Sequence, residues 1–158
     1  IAESVPAEMN LAKDTALHLN GKIPVIYSSF PELYPLAYRW KCQINENAKY
    51  PAFCHTFSEL NHNEIEGWEV QGLEDKFLPI ILGLMQEKPQ IQKRKNIMKE
   101  LFQKRNIEFL EFFAEGESLI EQIFSLIYLG DMVSYYLAIL REVDPTEIAF
   151  INYLKQNI

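Results

Sequence analysis

The stretch from Ile123 to Leu140 holds a single charged residue, Asp131, and is apolar nearly all round a helix. It is long enough to suggest a membrane span. Asp131 at its middle would cost about 2.5–3.5 kcal/mol in a bilayer, however, and Glu121 and Arg141 confine it. The segment reads instead as the core of a long helix, Glu117 to Arg141, buried against protein, so no membrane partner is expected. One sheet cannot cover every side of such a helix. The uncovered part, within 124–140, must meet another domain or a second subunit.

Upstream, short apolar runs alternate with helical patterns. A helix is expected over Pro6 to Leu19, stopped by Asn20-Gly21. Ile23 to Tyr27 reads as a buried parallel strand, with Pro24 tolerated only near its start. Pro31 and Pro35 delay a helix from Leu36 to Lys49, and Ala52 to Thr56 is the next strand. Phe77 to Leu82 and Ile107 to Ala114 read as two more strands, separated by an amphipathic helix from Gln90 to Asn106. Val143-Asp144-Pro145 ends the long helix, and Thr146 is placed to cap a last one, Glu147 to Gln156. Alternation of this kind implies an α/β fold, a parallel sheet wrapped by helices on both faces.

The 158 residues suffice for one domain with a real core. Net charge is −7, which argues against nucleic acid as a partner. The basic run Lys93, Arg94, Lys95, Lys99, Lys104 and Arg105 accordingly reads as the solvated face of an outer helix. Cys42 and Cys54 lack metal-ligand spacing and read as buried thiols of a reducing, cytoplasmic compartment. His18 reads as a surface histidine and His55 as a satisfied core histidine.

Polar groups crowd both ends of the second strand: Arg39, Glu46, Asn47 and Lys49 before it, Glu59, Asn61, His62, Asn63 and Glu64 after it. A loop needs turn formers, not this density of ionisable side chains. His55 and His62 have no accompanying cysteine pair, so no metal is expected. The nucleophile elbow, the Walker loop and the dinucleotide fingerprint are all missing, so no cofactor is implied. General acid–base chemistry remains, since a positioned carboxylate and histidine can move protons. Glu46 stands between two amides, Asn45 and Asn47, that can orient a carboxylate or a sugar hydroxyl. Buried polar groups at a subunit interface would show the same pattern.

The run Arg39 to Lys49, with Glu59-Leu60-Asn61-His62-Asn63-Glu64 and Asp144 to Lys155, resembles the bifunctional phosphoglucose/phosphomannose isomerases. The resemblance extends in order over nearly the whole chain after Asn20. It implies a sugar isomerase (SIS) domain, a three-layer sandwich with a parallel sheet of about five strands. It also implies interconversion of glucose 6-phosphate or mannose 6-phosphate with fructose 6-phosphate through a cis-enediol. By resemblance Glu46 is the base between C1 and C2, and His62 and Lys155 serve ring opening. The same resemblance implies a homodimer, through helix 117–141, with the histidine coming from the other subunit.

Candidate substrate contacts are Arg39, Asn45 and Asn61 in the matching runs, Ser28 and Ser29 after the first strand, and Thr146, where a small residue would admit both epimers. The family has two SIS domains per chain. Residues 1–158 read as the second alone, without the phosphate loop of the first, for which Ser28-Ser29 is a weak substitute. The expected partners are therefore a sugar phosphate and an N-terminal SIS half, and the chain alone is expected to turn over little or nothing. A non-catalytic sugar-phosphate-binding SIS regulatory module is the alternative, and a purely structural interaction domain a third reading. A sensor needs no proton shuttle, so Glu46, His62 and Lys155 together favour the enzyme.

Overall fold

A computed structural model describes residues 3–69 and 71–158. Among them four parallel strands form one sheet in the order β2-β1-β3-β4. They are β1 (Ile23–Ser28), β2 (Phe53–Thr56), β3 (Phe77–Leu84) and β4 (Leu110–Ala114). The two central strands are the most continuous apolar runs, as burial on both faces requires. Each contains a proline, which cannot donate to a ladder. Pro24 precedes the first β2 rung at Val25, and Pro79 precedes the first β4 rung at Ile80. The fifth strand implied by the resemblance does not occur among the described residues.

Helices α1 (Leu11–Leu19), α2 (Tyr34–Asn47) and α6 (Leu119–Leu140) pack on one face around Trp40, Ile26, Ile80 and Leu82. The other face is covered by α5 (Pro89–Lys104) and by the segment after β2. That segment is α3 (Phe57–Glu59), a π-helical turn (Leu60–Glu64) and α4 (Ile65–Gly67). A last helix, α7 (Ala149–Gln156), is exposed along its length, with Phe150 93% exposed.

Several boundaries differ from expectation for local reasons. Asn10 splits the first helix: its side chain accepts from the Lys13 amide, so Ala7–Met9 is a separate 3-10 turn. Pro35 lies inside the first turn of α2, where its missing N–H is harmless, so the helix begins at Tyr34. Helix α6 opens on a capping box in which Ser118 and Glu121 satisfy each other's backbone amides. Thr146 does not cap the last helix; its N-cap is Ile148, without a side-chain bond.

Helix α6 lies in the core, with Leu126, Val133 and Leu137 nearly inaccessible. Asp131 is explained by its neighbours on α2. It accepts from both Arg39, at 2.8 and 3.1 Å, and Gln43, at 2.9 Å. The helices approach closest where Trp40 meets Gly130. A Cβ on Gly130 would lie 2.3 Å from the Trp40 indole nitrogen, which donates to the Leu126 carbonyl at 2.8 Å. Leu119, Ile120, Phe124, Tyr128, Ile139 and Leu140 remain exposed on α6.

The reading of the basic run on α5 as a solvated face fails at Lys95. Its side chain is fully buried, 2.7 Å from Glu87 and 2.9 Å from Glu111, and Lys99 reaches Glu111 at 2.5 Å. Residues 95, 98 and 102 share one helix face, and Met98 and Phe102 are core residues. Lys95 was therefore bound to turn inward. Gly83 leaves room for the cluster: a Cβ there would lie 2.5 Å from Glu87 Oε1.

Candidate active site

The Asn45-Glu46-Asn47 run occupies the last turn of α2, and neighbouring elements tie that turn down on several sides. Asn47 Nδ2 donates to Ser134 Oγ on α6 at 2.9 Å, and Asn45 Nδ2 donates to the Tyr50 carbonyl at 2.8 Å. Arg141 Nε donates to the Ala48 carbonyl at 3.1 Å, and its guanidinium lies over the Tyr50 ring at 4.2 Å. Lys49, in a left-handed conformation with φ 51°, donates through Nζ to the carbonyls of Glu46 at 2.8 Å and Asp144 at 2.7 Å.

Glu46 itself is exposed, and among the described residues no hydrogen bond or ion pair holds its carboxylate. It lines a cavity of about 420 Å³ together with Asn45, Lys49, Tyr50 and residues 147–151. A carboxylate held by its backbone and left open at its oxygens is suited to taking a proton from a bound molecule.

The other site candidates divide between this cavity and elsewhere. Thr146 lies beside it, in the turn before α7, where its amide and hydroxyl both donate to Asp144 Oδ1 at 2.8 and 2.7 Å. Those bonds hold the Asp144 carboxyl below the usual aspartate range. Lys155 is exposed on α7 and does not line the cavity. Arg39 is committed to Asp131, two turns before Glu46. Ser28 ends β1 and Ser29 follows it; both are buried, and among the described residues neither hydroxyl oxygen is hydrogen-bonded.

His62 is exposed on the π-helical turn, and neither it nor Asn61 lines the Glu46 cavity. Asn61 Oδ1 is buried without a hydrogen bond among the described residues. Within one chain, then, the structure does not bring His62 to Glu46. Wide turns of this kind recur at functional sites because they swing a side chain off the regular helical path.

Sequence reasoning passed over a polar group on the other side of this turn. Tyr27 donates to Glu64 Oε2 at 2.8 Å, and the Trp68 indole donates to the Tyr27 oxygen at 3.2 Å. Burial, then the nearby Glu64 charge, pushes the Tyr27 phenol well above its ordinary pKa, so it stays a donor. His55 is not a core histidine: its side chain is 45% exposed, with Nε2 3.8 Å from Glu64 Oε1. These residues line a second, larger groove of about 820 Å³ beside β2. Cys42 and Cys54 are free and only partly buried, and burial raises the Cys54 thiol pKa. Among the described residues no cluster of His, Cys, Asp and Glu forms a metal site.

Comparison with known proteins follows the same lines. Residues 8–158 match the family described as Bacterial phospho-glucose isomerase C-terminal SIS domain. A bifunctional phosphoglucose/phosphomannose isomerase of Caldicellulosiruptor bescii is 41% identical over 98% of the chain and 46% of its own length. One from Thermoplasma acidophilum is 40% identical over 91% of the chain and 44% of its own. The crystal structure of a glucose-6-phosphate isomerase like protein from Thermus thermophilus superposes with a TM-score of 0.70 at 25% identity, over 96% of the chain and 49% of that one. The chain thus spans about half the length of the curated relatives it matches.

Proposed function

The chain belongs to the family of bacterial phospho-glucose isomerase C-terminal SIS domains, and from that premise we propose that it supplies the proton-transfer half of an aldose–ketose isomerase. The substrates are glucose 6-phosphate or mannose 6-phosphate and fructose 6-phosphate, and the setting is the cytoplasm. The observation that carries this reading is Glu46: backbone pinned, carboxylate unpaired, facing a cavity.

The base removes the C2 proton of the open-chain aldose. The electron pair forms the C1–C2 double bond as the C1 carbonyl π pair moves onto O1, which takes up a proton from solvent to give an enediol. The proton, exchanged in part with solvent while on the carboxyl, is then delivered to C1 as O2 gives its proton to solvent and C2=O forms, yielding the ketose. His62 and Lys155 move the protons that open the ring. Two features support an active site completed by other protein. His62 lies away from Glu46 within the chain, so a second copy is the source of this histidine. The apolar side chains exposed on α6 and α7 are surface that a second copy and an N-terminal SIS half would bury.

Phosphate binding falls to that N-terminal half. Without it, the binding energy that positions the sugar is lost, and the isolated chain turns over little or nothing. The test is fructose 6-phosphate in heavy water, with this chain and an N-terminal sugar isomerase half together. Solvent deuterium entering the sugar with wild type but not with Glu46→Gln supports the reading and the base. No incorporation, with both halves and the dimer verified, sinks it, and tight sugar-phosphate binding without incorporation would favour a regulatory module.

A further inference from the structure

The turn that bears Glu46 and the segment that bears Thr146 and Lys155 are far apart in sequence, yet one side chain joins them. Lys49 Nζ donates to the carbonyl of Glu46 at 2.8 Å and to the carbonyl of Asp144 at 2.7 Å. Asp144 in turn accepts both Thr146 bonds, so the connection continues into the turn before α7. The backbone at Lys49 has φ 51°, the conformation at a helix end that glycine adopts most readily. Lysine stands there against that preference, and what it adds is the ammonium that bridges the two carbonyls. Arg141 makes a second, parallel tie from the end of α6 to Ala48. Helix α7 has no buried residue, and the Lys49 and Thr146 bonds to Asp144 lie in the turn just before it.

We propose that Lys49 is a positioning residue: its ammonium latches the Glu46 turn to the segment 144–156, setting the width of the cavity between base and C-terminal helix. This rests on the function proposed above for Glu46 and Lys155, and the latch itself can be tested without it.

The decisive variant is Lys49→Gly. Glycine suits the left-handed backbone, so the fold is kept and the melting temperature does not fall, while the bridge is gone. Amide hydrogen exchange over 144–156 is expected to quicken by about 10-fold or more, with exchange over 119–140 unchanged. Lys49→Arg, which keeps donors at the same place, should restore slow exchange. In the deuterium assay with both halves present, Lys49→Gly should lower kcat by about 10-fold with little change in KM, and Lys49→Arg should recover it. Unchanged exchange over 144–156 in Lys49→Gly overturns the latch. Quickened exchange with kcat intact overturns its positioning role. A wild type that incorporates no deuterium defeats the isomerase reading, while the amide exchange still decides the latch.

Discussion

Lys95 and Glu46 stand on helices that cover opposite faces of the same sheet, and the two regions treat charge in contrary ways. Around Lys95 every charge is enclosed and matched: the ammonium lies between Glu87 and Glu111, and Lys99 closes on Glu111 from outside. Around Glu46 side chains bond the carbonyls of Glu46, Ala48 and Tyr50, but the carboxylate is left open. Closed charges hold a fold only as a set, because a single one left unpaired in the interior is costly. An open charge contributes little to the fold and is available to a substrate.

The contrast can be broken most sharply at Glu46. Glu46→Gln should reduce deuterium incorporation by about 10²–10⁴-fold while changing unfolding free energy by no more than about 0.5 kcal/mol. A large loss of stability would place Glu46 among the structural charges. Lys95→Met should do the reverse. It leaves Glu87 buried without its cation and Glu111 with Lys99 alone, and should cost about 3–5 kcal/mol in a denaturant titration. A neutral result would show the cluster to be dispensable.

Acid should reveal the same division. Burial raises the Glu111 carboxyl, but the bonds from Lys99 and Lys95 outweigh it and hold its pKa below the ordinary glutamate value. A depressed carboxylate lends stability above the unfolded-state value and loses it as pH falls through the folded one. Unfolding followed from pH 7 downward should therefore show a loss, beginning at about pH 4.3, that is smaller in Glu111→Gln. The smallest effect expected is at the start of α6. Ser118→Ala removes one capping bond and should cost about 1 kcal/mol by thermal melting, leaving both charged regions as they were.

The architecture was legible from the sequence because its signals are local. The apolar runs of β1 and β3 and the pairing of Asn20-Gly21 after α1 can be read within a few residues. The Ser118-Glu121 capping box is a signal of the same local kind, since its spacing alone marks a helix start. What resisted reading was company from distant parts of the chain. Lys95 counts as one more base in a basic run until Glu87 and Glu111 are seen beside it. Asp131 shows only as an anomaly in an apolar helix until Arg39 and Gln43 reach it. The carboxylate at Glu46 and the imidazole at His62 stand out in sequence, but not that the fold holds them apart.

The contact between Trp40 and Gly130 has a mechanical side. With no room for even a methyl group between them, it acts as a fulcrum on which α2 rests against α6. Glu46 lies six residues further along the helix, a lever arm of about 9 Å at 1.5 Å per residue. A tilt of about 5° at the fulcrum would swing the Glu46 backbone by about 0.8 Å, and displacements near 1 Å can slow a positioned reaction by about 10²-fold. A buried tryptophan that lines neither cavity thus sets the mechanical tolerance for a carboxylate nearly two turns away.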